Sequence, residues 1–289
     1  MGKSVFLFVT YIRDEERRIV DFLKLAGHQV TIKTDGCPFD LRELSDCDVA
    51  LIRILSQKTA LQRVNYLEAA GVRCVNSSNA IRICTDKGLQ AVLFERESLP
   101  IPKFSICGKY DELPKLLGEY GRFVIKPMSA SWGRGVTLIE KEASLDAWVG
   151  AREAVDTKGK HFPVLVQEYI EKDNFDIRVV IVGRTPIVAF RRINYESWKT
   201  NTHTGASIIP MKLTKSVITL VDKIVNVVGA GIYGLDLMVD KKTERYVICE
   251  INQNPEFAKS WLVHGVDVAQ YIAEYITSEQ NLVGVDYAT

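Results

Sequence analysis

Gly234-Leu-Asp-Leu237 and, shortly after it, Tyr246-Val-Ile-Cys-Glu-Ile-Asn252 read as the ends of two adjacent strands carrying Asp236, Glu250 and Asn252. Mg²⁺ takes near-octahedral oxygen coordination and is usually held by one or two carboxylates together with substrate phosphates, so acidic ends of neighbouring strands suit it. Two exposed turn acids are the competing reading. Against it, Val, Ile and Cys surround Glu250, and a solvated surface would not require them.

Outward from these strands, strand-like and helical patterns alternate, the signature of a layered α/β chain. Val5 to Tyr11 reads as a buried strand and Asp14 to Ala26 as a helix with Ile19, Val20, Phe22 and Leu23 on one face. Strands at 29–33, 48–54 and 72–75 and a helix at 56–70 complete an open α/β unit over residues 1–85. Ser98-Leu-Pro-Ile-Pro102 interrupts the pattern, because proline removes backbone donors and disfavours helix in the residue before it. Residues 86–174 then read as a compact α+β unit. Residues 175–289 read as a second one, with strands at 177–182 and 187–192, a polar loop from 194 to 207, a helix at 215–228, the two acidic strands and a final helix at 268–276.

Bulk properties narrow the classes. The chain has 289 residues, 47% hydrophobic and 25% charged, ample for a buried core. Its net charge of +1, from 37 basic and 36 acidic residues, gives no global field that would draw it onto nucleic acid or membrane. The apolar run Val5-Phe-Leu-Phe-Val9 lacks a small-residue cleavage site and is far short of the ~20 residues that span a bilayer, so a cytoplasmic protein is expected. Six cysteines without a Cys-x-x-Cys pair argue against zinc, and a Cys37–Cys47 disulfide is conceivable only for a hyperthermophilic source. Of four scattered histidines, only His203 stands in a polar loop.

Several groups suit an anionic ligand. Lys126 ends Phe-Val-Ile-Lys and precedes a loop containing Ser131, Trp132, Gly133, Arg134 and Gly135, whose N–H groups can turn toward phosphate oxygens. A surface hairpin with a glycine turn fits that segment equally well, and it is neither a Walker A loop nor a Rossmann fingerprint. Gln167 and Glu168 break an apolar run just before Tyr169 and Ile170, where a strand end could meet adenine and a ribose hydroxyl. Asp176 and Arg178 share one strand face and suit a structural ion pair. Arg191 and Arg192 end another strand, and one must point away because successive residues face opposite sides. Arg191 is the expected one in the cleft.

In order, Asp86-Lys87, Ile125-Lys126-Pro127, Ser131-Trp-Gly-Arg134, Gln167-Glu-Tyr-Ile170, Asp176-Ile-Arg178, Trp198-Lys-Thr-Asn201, Gly234-Leu-Asp236 and Glu250-Ile-Asn252 resemble the ATP-grasp ligases, most closely their RimK-like branch. Within it, Arg191-Arg192, Asn201-Thr202 and Asn254-Pro-Glu-Phe257 are similar to the LysX- and ArgX-type carrier-protein ligases of lysine and arginine biosynthesis. The resemblance implies an N-terminal α/β domain followed by an ATP-grasp fold of two α+β subdomains with ATP between them. It implies Lys87 and Lys126 on the phosphates, Gln167 to Ile170 at adenine and ribose, and Asp176, Lys199 and Asn201 completing the pocket. Asp236, Glu250 and Asn252 would hold two Mg²⁺, and Arg191 would clamp an acyl phosphate. Arg178, Arg192, Glu256, Lys259 and Ser260 are the implied substrate positions.

The reaction implied is amide formation between an acidic amino acid, 2-aminoadipate or glutamate, and the C-terminal glutamate of a small acidic carrier protein. A RimK-type glutamate ligase acting on another protein or a pterin-like acceptor is the alternative, and a non-catalytic nucleotide module a third. Two departures stand out. Thr204-Gly205-Ala206 replaces a Gly-Gly pair, and Lys259-Ser260 matches neither the aminoadipate nor the glutamate pattern. Dimers or tetramers are common among such ligases.

Overall fold

The structure, a computed structural model, describes residues 2–37, 40–130, 133–155, 161–200, 207–257 and 260–278. Its first sheet is parallel and ordered β2-β1-β3-β4, from β1 (Ser4–Val9), β2 (Gln29–Thr34), β3 (Val49–Arg53) and β4 (Cys74–Val75). Helices α1 (Asp14–Leu25) and α2 (Gln57–Ala69) serve its crossovers. The apolar run of β1 is buried on both faces, as a covered parallel sheet requires. Val5, Leu7 and Val9 pack toward α1, and Phe6 and Phe8 pack with Ala60, Val64 and Leu67 of α2.

Two helices follow that sequence patterning does not predict, α3 (Ser78–Thr85) and α4 (Lys87–Arg96). Their signals are local caps: Ser77 accepts from the Ala80 N–H and Asp86 from the Leu89 N–H. The second sheet, ordered β5-β8-β6-β7, is antiparallel: β5 (Phe104–Cys107), β6 (Phe123–Pro127), β7 (Thr137–Ile139) and β8 (Val164–Glu168). Helices α5 (Leu113–Tyr120) and α6 (Glu142–Glu153) cover it through Leu116, Leu145 and Trp148.

The third sheet is antiparallel in the order β11-β10-β9-β12-β13: β9 (Phe175–Gly183), β10 (Thr185–Ile193), β11 (Ser207–Met211), β12 (Gly231–Val239) and β13 (Tyr246–Asn252). Strand β11 begins at Ser207, the last residue of the stretch expected to be a polar loop, and runs on through a segment in which the sequence pattern predicts no strand. Pairing with β10 sets it, with Ser207 to Met211 running antiparallel to Ile193 to Ala189. Helix α7 (Lys215–Val228) is capped by Thr214 and buries Val217, Leu220, Val221, Ile224, Val225 and Val228, the 3.6-residue stripe of a core-facing helix. The chain ends its described part with α8 (Ser260–Val263) and α9 (Val268–Thr277). Among the described residues all six cysteines are free, so the Cys37–Cys47 disulfide is absent.

Strand parity in β9 sets the layout. Ile177, Val179 and Ile181 join the core under α7, while Val180 and Val182 join Phe190, α9 and the parallel sheet. The N-terminal unit is thus packed onto one face of the third sheet. A buried ion network reinforces the junction: the Glu16 carboxylate accepts from Arg13 Nη2 (2.7 Å) and Arg53 Nε (2.8 Å), and Arg53 Nη1 donates to the Pro255 carbonyl (3.0 Å). Asn254 Nδ2 donates back to the Arg53 carbonyl at 3.1 Å.

Burial alone would raise the Glu16 pKa, yet Arg53 and Arg13 hold it at about 2, below the ordinary 4.5. A carboxylate with a depressed folded pKa contributes stability above its unfolded value and loses it as pH falls toward the folded one. Burial also lowers the Arg53 pKa and offsets part of the gain, leaving a contribution on the order of 2 kcal/mol. Glu16→Gln is expected to flatten the fall of the unfolding midpoint between pH 4.5 and about 2, measured by thermal or urea denaturation at stepped pH. An unchanged slope would refute the assignment.

Candidate active site

Asp236 on β12 stands directly opposite Glu250 on β13 and opposite Arg178 on β9, and Asp176 on β9 stands opposite Arg192 on β10. Residues directly opposite share a face, as do residues two apart along a strand, so all five charges lie on one side of the sheet. They form two cross-strand pairs. Arg178 donates from Nε and Nη2 (3.0 Å) to Asp236, and Arg192 donates from Nε and Nη2 to the two oxygens of Asp176, both at 2.7 Å. Arg192 Nη2 also lies 3.0 Å from Asp236. The expected pairing of Asp176 with Arg178 is corrected accordingly: each finds its partner across a strand. Burial disfavours the Arg192 cation, but Asp236 and Asp176 reverse this and raise its pKa.

The same parity corrects the reading of Arg191. It is opposite Ile177, on the other face, where its guanidinium lies 4.6 Å from the Phe175 ring centroid at an exposed position. Arg192, only 3% exposed, is the arginine that lines the cleft. Gly234 serves this cluster by omission, because a Cβ there would meet Arg178 Nη1 at 2.7 Å.

Two lysines reach Glu250 from other elements. Gln90 of α4 bonds the backbone of Ile251 reciprocally, accepting from its N–H (3.0 Å) and donating to its carbonyl (3.1 Å). This docks α4 against edge strand β13 and sets Lys87, one turn earlier, 3.1 Å from Glu250. Lys87 also donates to the Ala130 carbonyl at 2.9 Å. Lys126 arrives from β6 of the second sheet, and its Nζ donates to Cys249 Sγ at 3.7 Å. Burial pushes the Glu250 pKa up, but Lys87 and Lys126 together hold it down at about 2. The carboxylate is charged at any physiological pH. Asn252 Nδ2 donates to its Oε1 at 3.1 Å.

The lysines, Arg192 and both carboxylates line one cleft between the second and third sheets, with about 830 Å³ of empty space when the open solvent at its mouth is included. Val124, Val136, Ile170 and Met238 give it apolar walls, and Gly133, Gln167, Glu168, Tyr169, Asp176 and Lys199 also line it. The Gln167 Oε1 is buried without a hydrogen-bond partner among the described residues, an acceptor that a ligand N–H would satisfy. Glu168 accepts from the Lys103 N–H at 3.1 Å. Gly133 and Gly135 both take positive φ, so the loop after Lys126 does turn on its glycines.

Lys172, Met238 and Cys249 are among the lining residues that sequence reasoning missed. Lys172 donates to the Phe175 carbonyl at 3.1 Å and its pKa is lowered by burial; Met238 and Cys249 also face inward. Cys249 does so because the β12–β13 register slips between Asp236 and Leu237, and this bulge turns two consecutive residues, Cys249 and Glu250, toward the cleft. Other expected positions lie elsewhere. Ser260 is 1% exposed and its hydroxyl accepts from the Val268 N–H, a turn-stabilising role away from the cleft. Glu256 is exposed and pairs loosely with Arg13 at 3.5 Å. Arg134 is described but does not line the cleft. Ser131, Trp132, Asn201, His203 and Lys259 lie outside the described residues.

A RimK-like ATP-grasp domain model matches residues 84–276, and a LysX preATP-grasp domain model matches residues 5–83. A glutamate–LysW ligase ArgX of Sulfolobus acidocaldarius is 31% identical over 277 residues, covering 94% of this chain and 97% of the relative. An alpha-aminoadipate–LysW ligase LysX of Saccharolobus solfataricus is 28% identical over 271 residues, covering 91% and 96%. Among solved structures, a RimK domain ATP-grasp protein from Sphaerobacter thermophilus superposes with a TM-score of 0.76 at 20% identity over 95% of this chain and all of the other, a likeness of fold.

Lys126→Met is expected to weaken Mg-ATP binding by about tenfold to a hundredfold, the loss of one charge-assisted hydrogen bond. Arg191→Ala should stay within about twofold of the parent, as for an exposed side chain facing away. Calorimetric titration checks both, and equal effects at the two positions would overturn the facing assigned to them.

Proposed function

The chain belongs to the RimK-like ATP-grasp ligases, and from that premise we propose that it joins an acidic amino acid to the C-terminal glutamate of a small carrier protein. The observation that carries the site reading is the charged Glu250 beside Lys87 and opposite Asp236, in a cleft that also receives Lys126 from the second sheet. An oxygen-only pair of carboxylates on adjacent strands, with the Asn252 amide alongside, fits Mg²⁺. Asp236, Glu250 and Asn252 would hold the metal, which would draw charge from the phosphate oxygens. Lys87 and Lys126 then gain phosphate partners.

The chemistry asked of the protein is positioning and charge neutralisation. The carrier's carboxylate takes the γ-phosphoryl group of ATP to give an acyl phosphate and ADP, and the amine of the amino acid displaces phosphate to leave an amide. Phosphoryl transfer spreads negative charge over the transferred oxygens, and preorganised cations in a low-dielectric cleft stabilise it at little reorganisation cost. Arg192 and Arg178, each locked by a carboxylate, keep Asp236 in one orientation. The apolar walls and the unsatisfied Gln167 acceptor suit a base carrying an amino group.

Support for the carrier substrate comes from the LysW ligases that align along almost the whole chain. Two Mg²⁺ ions and a homo-oligomer are the finer expectations, checked by metal titration and light scattering. The decisive experiment measures phosphate release from Mg-ATP with a LysW-type carrier and with glutamate or 2-aminoadipate. Release should need carrier and amino acid together. Asp236→Asn and Glu250→Gln should each lower it by about a thousandfold or more while far-UV circular dichroism is unchanged. Carrier-independent release would sink the acceptor assignment, and parent-like rates in both variants would sink the metal assignment.

A further inference from the structure

Cys249 is the one thiol among the described residues that line the cleft. Its thiol is there because of the bulge: in a regular strand it would face away from Glu250. It is partly exposed, and it accepts from the Lys126 ammonium at 3.7 Å. That contact makes it a neighbour of a cation assigned to the phosphates. The cleft also carries an independent mark of a ligand, the 4%-exposed Gln167 with its unpartnered Oε1. Thiol and nucleotide therefore compete for one space.

We propose that Cys249 is a covalent modification site whose occupancy by a thiol-reactive disulfide and whose shielding by Mg-ATP are mutually exclusive. The inference rests on the nucleotide reading of the cleft. In the step, Cys249 Sγ gives up its proton to solvent and attacks one sulfur of a disulfide RS–SR. A new Sγ–S bond forms, the old S–S bond breaks, and RS⁻ leaves. The Lys126 ammonium beside the sulfur attracts an anionic reagent, while the half-buried position of the thiol slows its approach. The adduct fills the space beside Lys126 and Glu250, and the phosphates lose their seat.

Cys37 provides an internal standard. It lies in the first domain, partly exposed, with its pKa lowered by a hydrogen bond with Thr34. The full chain is treated with 5,5′-dithiobis(2-nitrobenzoate), and site-resolved mass spectrometry follows both cysteines with and without Mg-ATP. At a nucleotide concentration ten times its Kd, labelling of Cys249 should slow by about tenfold, by mass action, while that of Cys37 stays constant. Labelled protein should lose Mg-ATP binding by calorimetry, and in Cys249→Ser the affinities with and without reagent should be equal to each other.

Two results would overturn the proposal while leaving the nucleotide reading standing. One is Cys249 unlabelled when Cys37 is fully labelled; the other is Cys249 labelling that Mg-ATP leaves unchanged although calorimetry shows binding. Absence of Mg-ATP binding by the untreated protein would overturn both together.

Discussion

Asp236 facing Glu250 across β12 and β13 is the constraint around which the molecule is arranged. Two carboxylates side by side repel, and partial burial removes the water that would screen them. The fold answers with cations from four separate elements: Arg178 on β9, Arg192 on β10, Lys87 on α4 and Lys126 on β6. Each sits where backbone pairing puts it. The cleft is therefore charged and compensated before any ligand arrives, which is the preorganisation that transfer of a highly charged phosphoryl group requires.

Holding that arrangement falls to the scaffold behind it. One face of the third sheet is charged near the cleft and apolar farther along, so β9 serves the site with Asp176 and Arg178 and the core with Val180 and Val182. The parallel sheet and α9 cover the apolar stretch. Through Arg53 and Asn254 the first domain also grips the backbone just beyond Asn252, tying the exit of β13 to the end of β3. The ATP-grasp part and the N-terminal domain thus share one core and one ion network.

The helix α4 illustrates how far local chemistry reaches. Its Gln90 closes the open hydrogen-bonding edge of β13, a requirement of any buried strand edge. That satisfied edge fixes the distance from Lys87 to Glu250. Cys249 shows the converse, since one register slip turns a thiol into the cleft beside Lys126 and Glu250.

Much was legible in the residues themselves. Alternating periods gave the strands of the first sheet, α1, α2 and α7, and the charged residues inside apolar runs marked Lys126, Asp236 and Glu250, because burying such groups is costly without a use. What stayed hidden depends on who pairs with whom. Arg191 and Arg192 are equivalent until β10 is set in register with β9; only then does Asp176 select Arg192 and leave Arg191 against Phe175. Ser260 looked available for substrate until α9 folded back and used its hydroxyl. Composition and period determined the longer helices, most of the strands and the chemical kind of the site, but not α3, α4 or β11, since the former follow from transfer energies of single side chains. Cross-strand register, one bulge and the docking of α4 decided which side chains face the cleft, because facing is a property of the pairing between segments far apart in the chain.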